Sequence, residues 1–262
     1  MTPEPLQPRE RITAAVLSAS RTGEPALVAY LTAGFPRKEA FGAQMRALAR
    51  AADLIEVGVP FTDPMADGVT IQRSSQAALA QGVTLQWILS ELAALPPLGV
   101  PVLLMSYLNP LLAHGLERLA HAAARARVSG FIVPDLPFDE SAALRAALAV
   151  EGLALVQMVT PVTRPERLLE VCRASEGFVY AVTMTGTTGR SFAVPAETLE
   201  YLDRVRRASA LPVCAGFGIR ERAQVERLRG HVDGVIVGSA LVEVLERGHD
   251  PVAWLAALRG AR

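Results

Sequence analysis

Three carboxylates crowd into LIEVGVPFTDPMADG, Leu54 to Gly68: Glu56 within an apolar run, then Asp63 and Asp67 just beyond it. Leu54, Ile55, Val57 and Val59 predict a short buried strand, a poor environment for a charge. An unpaired buried carboxylate is costly and answers by raising its pKa. Side chains alternate along a strand, so Glu56 shares a face with Leu54 and Gly58, while Ile55 and Val57 take the other. The β-branched pair suits packing against helices, which turns Glu56 inward. For an isolated Glu, a structural carboxylate bonded to backbone or arginine is the plain alternative. Here Asp67 follows on a long loop at the same end. Two carboxylates in one mouth, one half-buried and one solvated, hold different protonation states at one pH and can divide acid–base work.

A second constellation lies near the other end of the chain. AGFGIR (Ala215–Arg220) closes one apolar run, and VGSA (Val237–Ala240) closes the next and opens a helix. Small residues there let backbone N–H groups approach a ligand, and a helix N-terminus favours an anion. These segments predict a phosphate site, with TGTTGR (Thr185–Arg190) as a lid supplying a further amide. Tyr30, Tyr107 and Tyr180 end or follow apolar runs, where they either wall an aromatic pocket or pack a core. His114, His121, His231 and His249 fall in helical or connecting segments, which argues against a zinc site. Cys172 and Cys214 share no metal-like spacing and read as buried thiols of a reducing cytoplasm. Of the 26 basic residues only Lys38 is lysine, beside Arg37 in a solvated helix start. That placement disfavours Schiff-base catalysis and covalent pyridoxal phosphate, both of which need a lysine amine.

The elements that must position these groups follow from hydrophobic pattern. Candidate strands are Ala26–Leu31, Leu54–Gly58, Val102–Ser106, Gly130–Val133, Ala154–Met158, Val179–Val182, Val213–Gly216 and Gly234–Val237. Amphipathic segments such as FGAQMRALARAA and PERLLEVCRAS lie between them. Strands alternating with helices imply parallel pairing with both sheet faces covered. Eight such units predict a single (β/α)8 TIM barrel over residues 1–262, with Arg11–Ser20 as an extra N-terminal helix across the bottom. An open doubly wound sheet is the alternative; no GxGxxG follows the first strand, and no linker divides the chain. In a barrel the long loops after the second and sixth strands stand on the C-terminal face, with the active site. Net charge is zero and no block of like charge occurs, so neither nucleic acid nor an anionic membrane is an expected partner. The N-terminus lacks the apolar core of a signal peptide and no apolar run reaches spanning length, which predicts a soluble cytoplasmic protein.

The motifs taken together resemble one family. YLTAGFP (Tyr30–Pro36), EVGVPFTDPMADGVTIQ (Glu56–Gln72), LMSYLNP (Leu104–Pro110), VPDLPFDE (Val133–Glu140), GFGI (Gly216–Ile219) and DGVIVGSA (Asp233–Ala240) are similar, in order, to motifs of the tryptophan synthase alpha subunit. The resemblance spans essentially the whole chain. The carboxylate-bearing stretch is specific to that family, whereas GFGI and VGSA also occur in related phosphate-binding barrels.

The resemblance implies retro-aldol cleavage of indole-3-glycerol phosphate to indole and glyceraldehyde 3-phosphate, a lyase step in tryptophan biosynthesis that needs no cofactor in this chain. It implies Glu56 as the acid–base residue, Asp67 on the indole N–H and Tyr180 as an aid in positioning Glu56. It also implies phosphate contacts at Gly189, Gly218, Gly238 and Ser239, and an indole pocket of Tyr30, Tyr107 and Phe217. Thr188 would be the lid threonine that reaches Asp67. Met184 and the Thr187–Thr188 pair depart from the family's lid pattern. The implied partner is a beta subunit that carries pyridoxal phosphate, in an alpha2beta2 heterotetramer. Contact is expected at the mouth, through Asp63, Pro64 and the loop NPLLAHG (Asn109–Gly115), where Leu111 and Leu112, if exposed, are better explained by an interface than by solvent. The competing enzyme readings are indole-3-glycerol phosphate synthase, which relies on a strand-end lysine absent here, and a phosphoribosyl isomerase. A non-catalytic ligand-binding subunit is the remaining alternative, and it has no use for a buried Glu56.

Overall fold

The computed structural model describes residues 6–183, 194–216 and 218–260. Eight parallel strands close into a barrel in chain order. They are β1 (Ala26–Thr32), β2 (Leu54–Gly58), β3 (Val102–Met105), β4 (Gly130–Ile132), β5 (Ala154–Val159), β6 (Val179–Val182), β7 (Val213–Gly216) and β8 (Gly234–Val237). Every expected strand is present. The bounds of β2, β6, β7 and β8 match, and the other four differ by one residue at the C-terminal end. The fold is the expected (β/α)8 barrel.

The helices in chain order are α1 (Pro8–Ser20), α2 (Phe41–Leu48), α3 (Val69–Ala80), α4 (Leu85–Ala94), α5 (Leu108–His114) and α6 (Leu116–Arg125). They continue with α7 (Ala142–Val150), α8 (Pro165–Ala174), α9 (Ala196–Ala208), α10 (Arg222–Leu228), α11 (Ser239–Glu246) and α12 (Pro251–Arg259). None among the described residues is long and apolar enough to cross a membrane.

Strand alternation sorts the core into two shells. Ala26, Val28, Leu54, Leu103, Ile132, Val156, Tyr180, Cys214 and Ile236 fill the barrel. Leu27, Ala29, Ile55, Val57, Leu104, Phe131, Val179 and Val235 pack outward against the helices. Cys214 is thus an interior filler and Cys172 a buried outer one, as their free, apolar settings require.

α1 closes the bottom with Ile12, Val16 and Ala19. It begins at Pro8 rather than Arg11, because Pro suits a first helical turn and the Gln7 N–H donates to Glu10 Oε2 at 2.8 Å. Thr13 Oγ1 donates to the Gly177 carbonyl at 2.7 Å. Carboxylates satisfy amides at the strand starts: Leu27 N–H donates to Asp53 Oδ2 (2.7 Å), Leu155 N–H to Glu176 Oε2 (3.0 Å) and Val213 N–H to Asp233 Oδ2 (2.8 Å). The bottom is built for stability, which leaves the opposite rim to function.

Close strand packing at β4 gives a quantitative expectation. A Cβ on Gly130 would stand 2.7 Å from Ala154 Cβ and 2.8 Å from the Ala154 carbonyl oxygen. Backbone cannot yield cheaply, so Gly130→Ala is expected to cost about 1–3 kcal/mol, the usual penalty of overpacking. Urea unfolding of the two proteins measures it; equal midpoints would mean the barrel wall relaxes freely there.

NPLLAHG is not a loop. Pro110 falls in the first turn of α5, where a missing N–H is tolerated. Successive helix positions face different ways, so Leu111 is fully buried while Leu112 remains 52% exposed. The condition for an interface role is therefore met by Leu112 and not by Leu111.

Candidate active site

Glu56 occupies the middle of β2, paired in register with Tyr30 on β1 and Leu103 on β3. Its side chain points into the barrel and is 1% exposed. Glu56 Oε2 has no hydrogen-bond partner among the described residues, so the structural-carboxylate alternative finds no support at that oxygen. Burial, and secondarily the charge of Asp67, push the Glu56 carboxyl up to about 8.

Asp67 stands half-buried on the loop between β2 and α3. Ala66 N–H donates to Tyr107 Oη at 2.9 Å, and Gln72 Nε2 donates to the Asp67 carbonyl at 2.9 Å, which fixes the loop on both sides. Burial raises Asp67 to about 6, partly offset by a hydrogen bond from Tyr107. Near neutral pH, Glu56 is therefore an acid and Asp67 an anion within one cavity. Asp63, the third carboxylate, is exposed.

Two of the three tyrosines converge on one cavity, and Tyr107 borders a crevice beside it with Tyr30 and Asp67. Tyr30 and Tyr180 line a cavity of about 140 Å³ together with Glu56, Asp67, Gly218, Gly238 and Ser239. Tyr107 stacks on Phe61 with ring centroids 5.1 Å apart. Burial and nearby carboxylates drive all three phenols upward, so they stay neutral. Two glycines make this arrangement possible. A Cβ on Gly58 would lie 2.1 Å from Tyr30 Oη, and one on Gly216 would lie 2.3 Å from Tyr180 Oη. Each phenol thus rests over a glycine of the next strand. Tyr30 Oη continues to Thr32 Oγ1 (3.4 Å) and Ser74 Oγ (2.6 Å from Thr32), tying β1 to α3.

The anion-ready corner is equally explicit. Gly238 caps α11, whose first hydrogen bond runs from Val242 N–H to the Gly238 carbonyl. The amides of Ser239, Ala240 and Leu241 precede that bond and are the orphan donors of a helix start. Gly218 has φ +84°, the left-handed region, so it serves backbone conformation as well as close approach. Gln224, 7% exposed, braces the turn: its Nε2 donates to the Gly218 carbonyl (3.1 Å) and its Oε1 accepts from Arg220 N–H (2.7 Å).

Arg220 also lines the smaller cavity, held by two hydrogen bonds to Glu243 of α11 at 3.0 and 2.9 Å. Sequence reasoning passed over this guanidinium although AGFGIR contains it. Gln224 and the glycine seats were missed as well; polarity within an apolar helix face was the only signal for the first. Thr188, Gly189 and Phe217, with the lid positions Met184 and Thr187, lie outside the described residues.

Lys38 lines neither this cavity nor the larger one beside it. Its Nζ donates to the Gly82 carbonyl at 3.2 Å and sits 4.9 Å from the Trp87 ring centroid. No group of three or more His, Cys, Asp or Glu capable of holding a metal occurs among the described residues.

Comparison with known proteins agrees over nearly the full length. The family described as tryptophan synthase alpha chain matches residues 17–257. The tryptophan synthase alpha chain of Nitratidesulfovibrio vulgaris strain DP4 is 45% identical over 249 residues, covering 94% of this chain and 97% of that one. Among solved structures, tryptophan synthase from M. tuberculosis in an aminoacrylate-bound form superposes with a TM-score of 0.86 at 37% identity, covering 95% of this chain and 98% of that one. Tryptophan synthase subunit alpha from Legionella pneumophila str. Paris gives a TM-score of 0.86 at 30% identity, with coverage of 95% and 97%. With its barrel, its carboxylate pair and these full-length matches, the chain belongs to the tryptophan synthase alpha chain family.

Proposed function

We propose that this chain, acting as one domain over residues 1–262, cleaves indole-3-glycerol phosphate to indole and glyceraldehyde 3-phosphate. The observation that carries the reading is a carboxyl at about 8 facing the same cavity as a carboxyl at about 6, beside the open N-terminus of α11. In this reading Glu56 gives its proton to the indole carbon that bears the glycerol chain. The ring nitrogen becomes cationic, and Asp67 accepts its N–H and stabilises the charge. The Glu56 carboxylate then takes the proton of the adjacent glycerol hydroxyl. The carbon–carbon bond breaks, its electron pair restores the aromatic ring, and the hydroxyl carbon leaves as an aldehyde. One proton leaves Glu56 and one returns, so no metal and no imine are needed. Backbone amides at Gly189, Gly218, Gly238 and Ser239 hold the phosphate, with Arg220 adding positive charge nearby. Tyr30, Tyr107 and Phe217 wall the indole pocket, Tyr180 orients Glu56, and Thr188 reaches Asp67 from the lid.

Free indole is small and apolar, and joining it to serine needs an amine-bearing cofactor site that this chain's single lysine does not provide. The reading therefore includes a beta chain with pyridoxal phosphate, an alpha2beta2 assembly and a cytoplasmic location. Met65 (93% exposed) and Val69 (76%) on the Asp67 loop and its helix, with Leu112 (52%) on α5, supply apolar surface for that contact. Ordering the Asp67 loop on binding would couple the two subunits.

The test is to assay the purified chain for indole and glyceraldehyde 3-phosphate, alone and with its cognate beta chain. Equimolar products, with co-elution and a higher rate in the mixture, are expected. No indole under either condition would sink the cleavage. Separate elution with an unchanged rate would remove the partner and leave a free-standing lyase.

A further inference from the structure

The barrel wall has a gap between β4 and β5. β4 pairs with β5 at only three positions, ending at Ile132 opposite Val156. β5 continues through Gln157, Met158 and Val159, which pair in register with β6 alone. Beyond Ile132 the chain turns away through Val133–Pro137, and the upper part of β5 loses one neighbour.

One cavity of about 810 Å³ occupies this region, and its lining includes residues from both faces of β5. Val156 and Met158 face the barrel interior beside Asp67, whereas Leu155 and Gln157 face outward. Neighbouring strand residues point to opposite sides, so a cavity touching all four passes across the rim of the wall. It has an inner chamber, shared with the candidate active site, and an outer chamber between β5 and α8.

The outer chamber has apolar walls, and among its polar groups Gln157 stands apart. Leu155 and Val171 form its walls, and Phe138 lies at its edge, with the guanidinium carbons of Arg145 and Arg167 5.6 and 5.2 Å from its ring centroid. Arg167 is engaged by Asp139, so its charge is already met. Thr163 Oγ1 accepts from the Thr160 N–H at 3.0 Å and bonds the Thr160 hydroxyl. Gln157 is 6% exposed, yet its side-chain amide makes no hydrogen bond among the described residues, while its backbone N–H donates to Ser175 Oγ at 2.9 Å. An amide so little exposed needs a hydrogen-bond partner, and the apolar wall beside it needs cover. A neutral planar ring with one N–H meets both needs, burying its faces on Leu155 and Val171 and donating to Gln157 Oε1.

We propose that the outer chamber is a second binding site for a neutral N–H-bearing aromatic ring, reached from the candidate active site through the β4–β5 gap. It rests on the cleavage reading for the identity of that ring, since indole is the product released next door. The site gives indole a place to dwell outside the catalytic chamber, clear of Glu56.

The test follows methyl resonances of Leu, Val and Met in the labelled full-length protein during titration with indole. Leu155 and Val171 are expected to shift along with Met158 of the inner chamber. In Gln157→Leu, which is close in size, the midpoint for Leu155 and Val171 should rise about ten-fold, the worth of one neutral hydrogen bond. Cleavage by that variant should stay within about two-fold, because Gln157 touches neither reacting carboxylate. Benzofuran, which replaces the N–H by oxygen, should shift Leu155 and Val171 in the unaltered protein only at about ten-fold higher concentration, a comparison that needs no variant to fold. Indole leaving Leu155 and Val171 unshifted would overturn the proposal, as would benzofuran shifting them equally well. The titration needs no turnover, so a chain that bound indole at Gln157 but released none from substrate would overturn the cleavage reading alone.

Discussion

Glu56→Gln is expected to lower turnover of indole-3-glycerol phosphate by about 10²–10⁴-fold, the usual worth of a positioned acid–base group. The loss should stand at the upper end, because one carboxyl serves both proton transfers. Gln keeps the shape of Glu and can neither give nor take the proton, whereas the phosphate corner at α11 is untouched, so KM should change little. In the unaltered protein the rate should follow a bell against pH. Activity falls below about 6 as Asp67 is protonated and above about 8 as Glu56 loses the proton it must donate. A Glu56→Gln protein that retains most of its turnover would return Glu56 to a structural role.

The same substitution has an expected signature in stability. The Glu56 carboxyl has an ordinary value of 4.5 and is raised to about 8 in the folded chain. Between these values the folded state holds a proton that the unfolded state has released, so the contribution of Glu56 to stability falls as pH rises through that window. Above about 8 the full penalty of a buried charge is present. Gln carries no such penalty, so its stability advantage should widen from about pH 5 to about pH 8 and then level off, reaching the order of a few kcal/mol. Urea unfolding at the two ends reads it. A variant that gains stability while losing turnover marks a residue kept for chemistry at the expense of the fold.

What the sequence made legible follows from which signals are local. Eight apolar runs bounded by Gly, Pro and polar residues stood out because a strand buried on both faces needs them, and the structure shifts none by more than one residue. Glu56 stood out because a charge inside such a run is costly. Gln157 sends the same signal from ALVQMV and went unread, since an amide is less conspicuous than a carboxylate. Long-range pairings carry no local mark. Neither Arg220 nor Glu243 is unusual where it stands, and only the approach of the β7 turn to α11 joins them. The glycines under Tyr30 and Tyr180 look like ordinary strand endings until the neighbouring strand brings a phenol over them. NPLLAHG misled for a local reason: Asn-Pro is a turn signal, but Pro also suits the first turn of a helix, and the helical twist buries Leu111 while exposing Leu112.

Asp67→Asn is expected to lower kcat by about 10²–10³-fold, the typical loss when one preorganised stabiliser of transition-state charge is removed. Asn matches Asp in shape, and its amide oxygen can still accept from Tyr107, so the loop that carries it should keep its place. What disappears is the negative charge that faces the ring nitrogen as it becomes cationic, an interaction made fully only after the proton arrives. Ground-state binding should therefore change less than kcat. Two shifts in the pH profile separate this from a general loss of structure. The acid limb near 6 should vanish with the group that titrates there. The alkaline limb should move below about 8, because Asp67 is the second cause, after burial, holding the Glu56 carboxyl up. Turnover within a few-fold of the unaltered protein, with an acid limb still near 6, would assign that limb to another group and leave Asp67 as a bystander to the reaction.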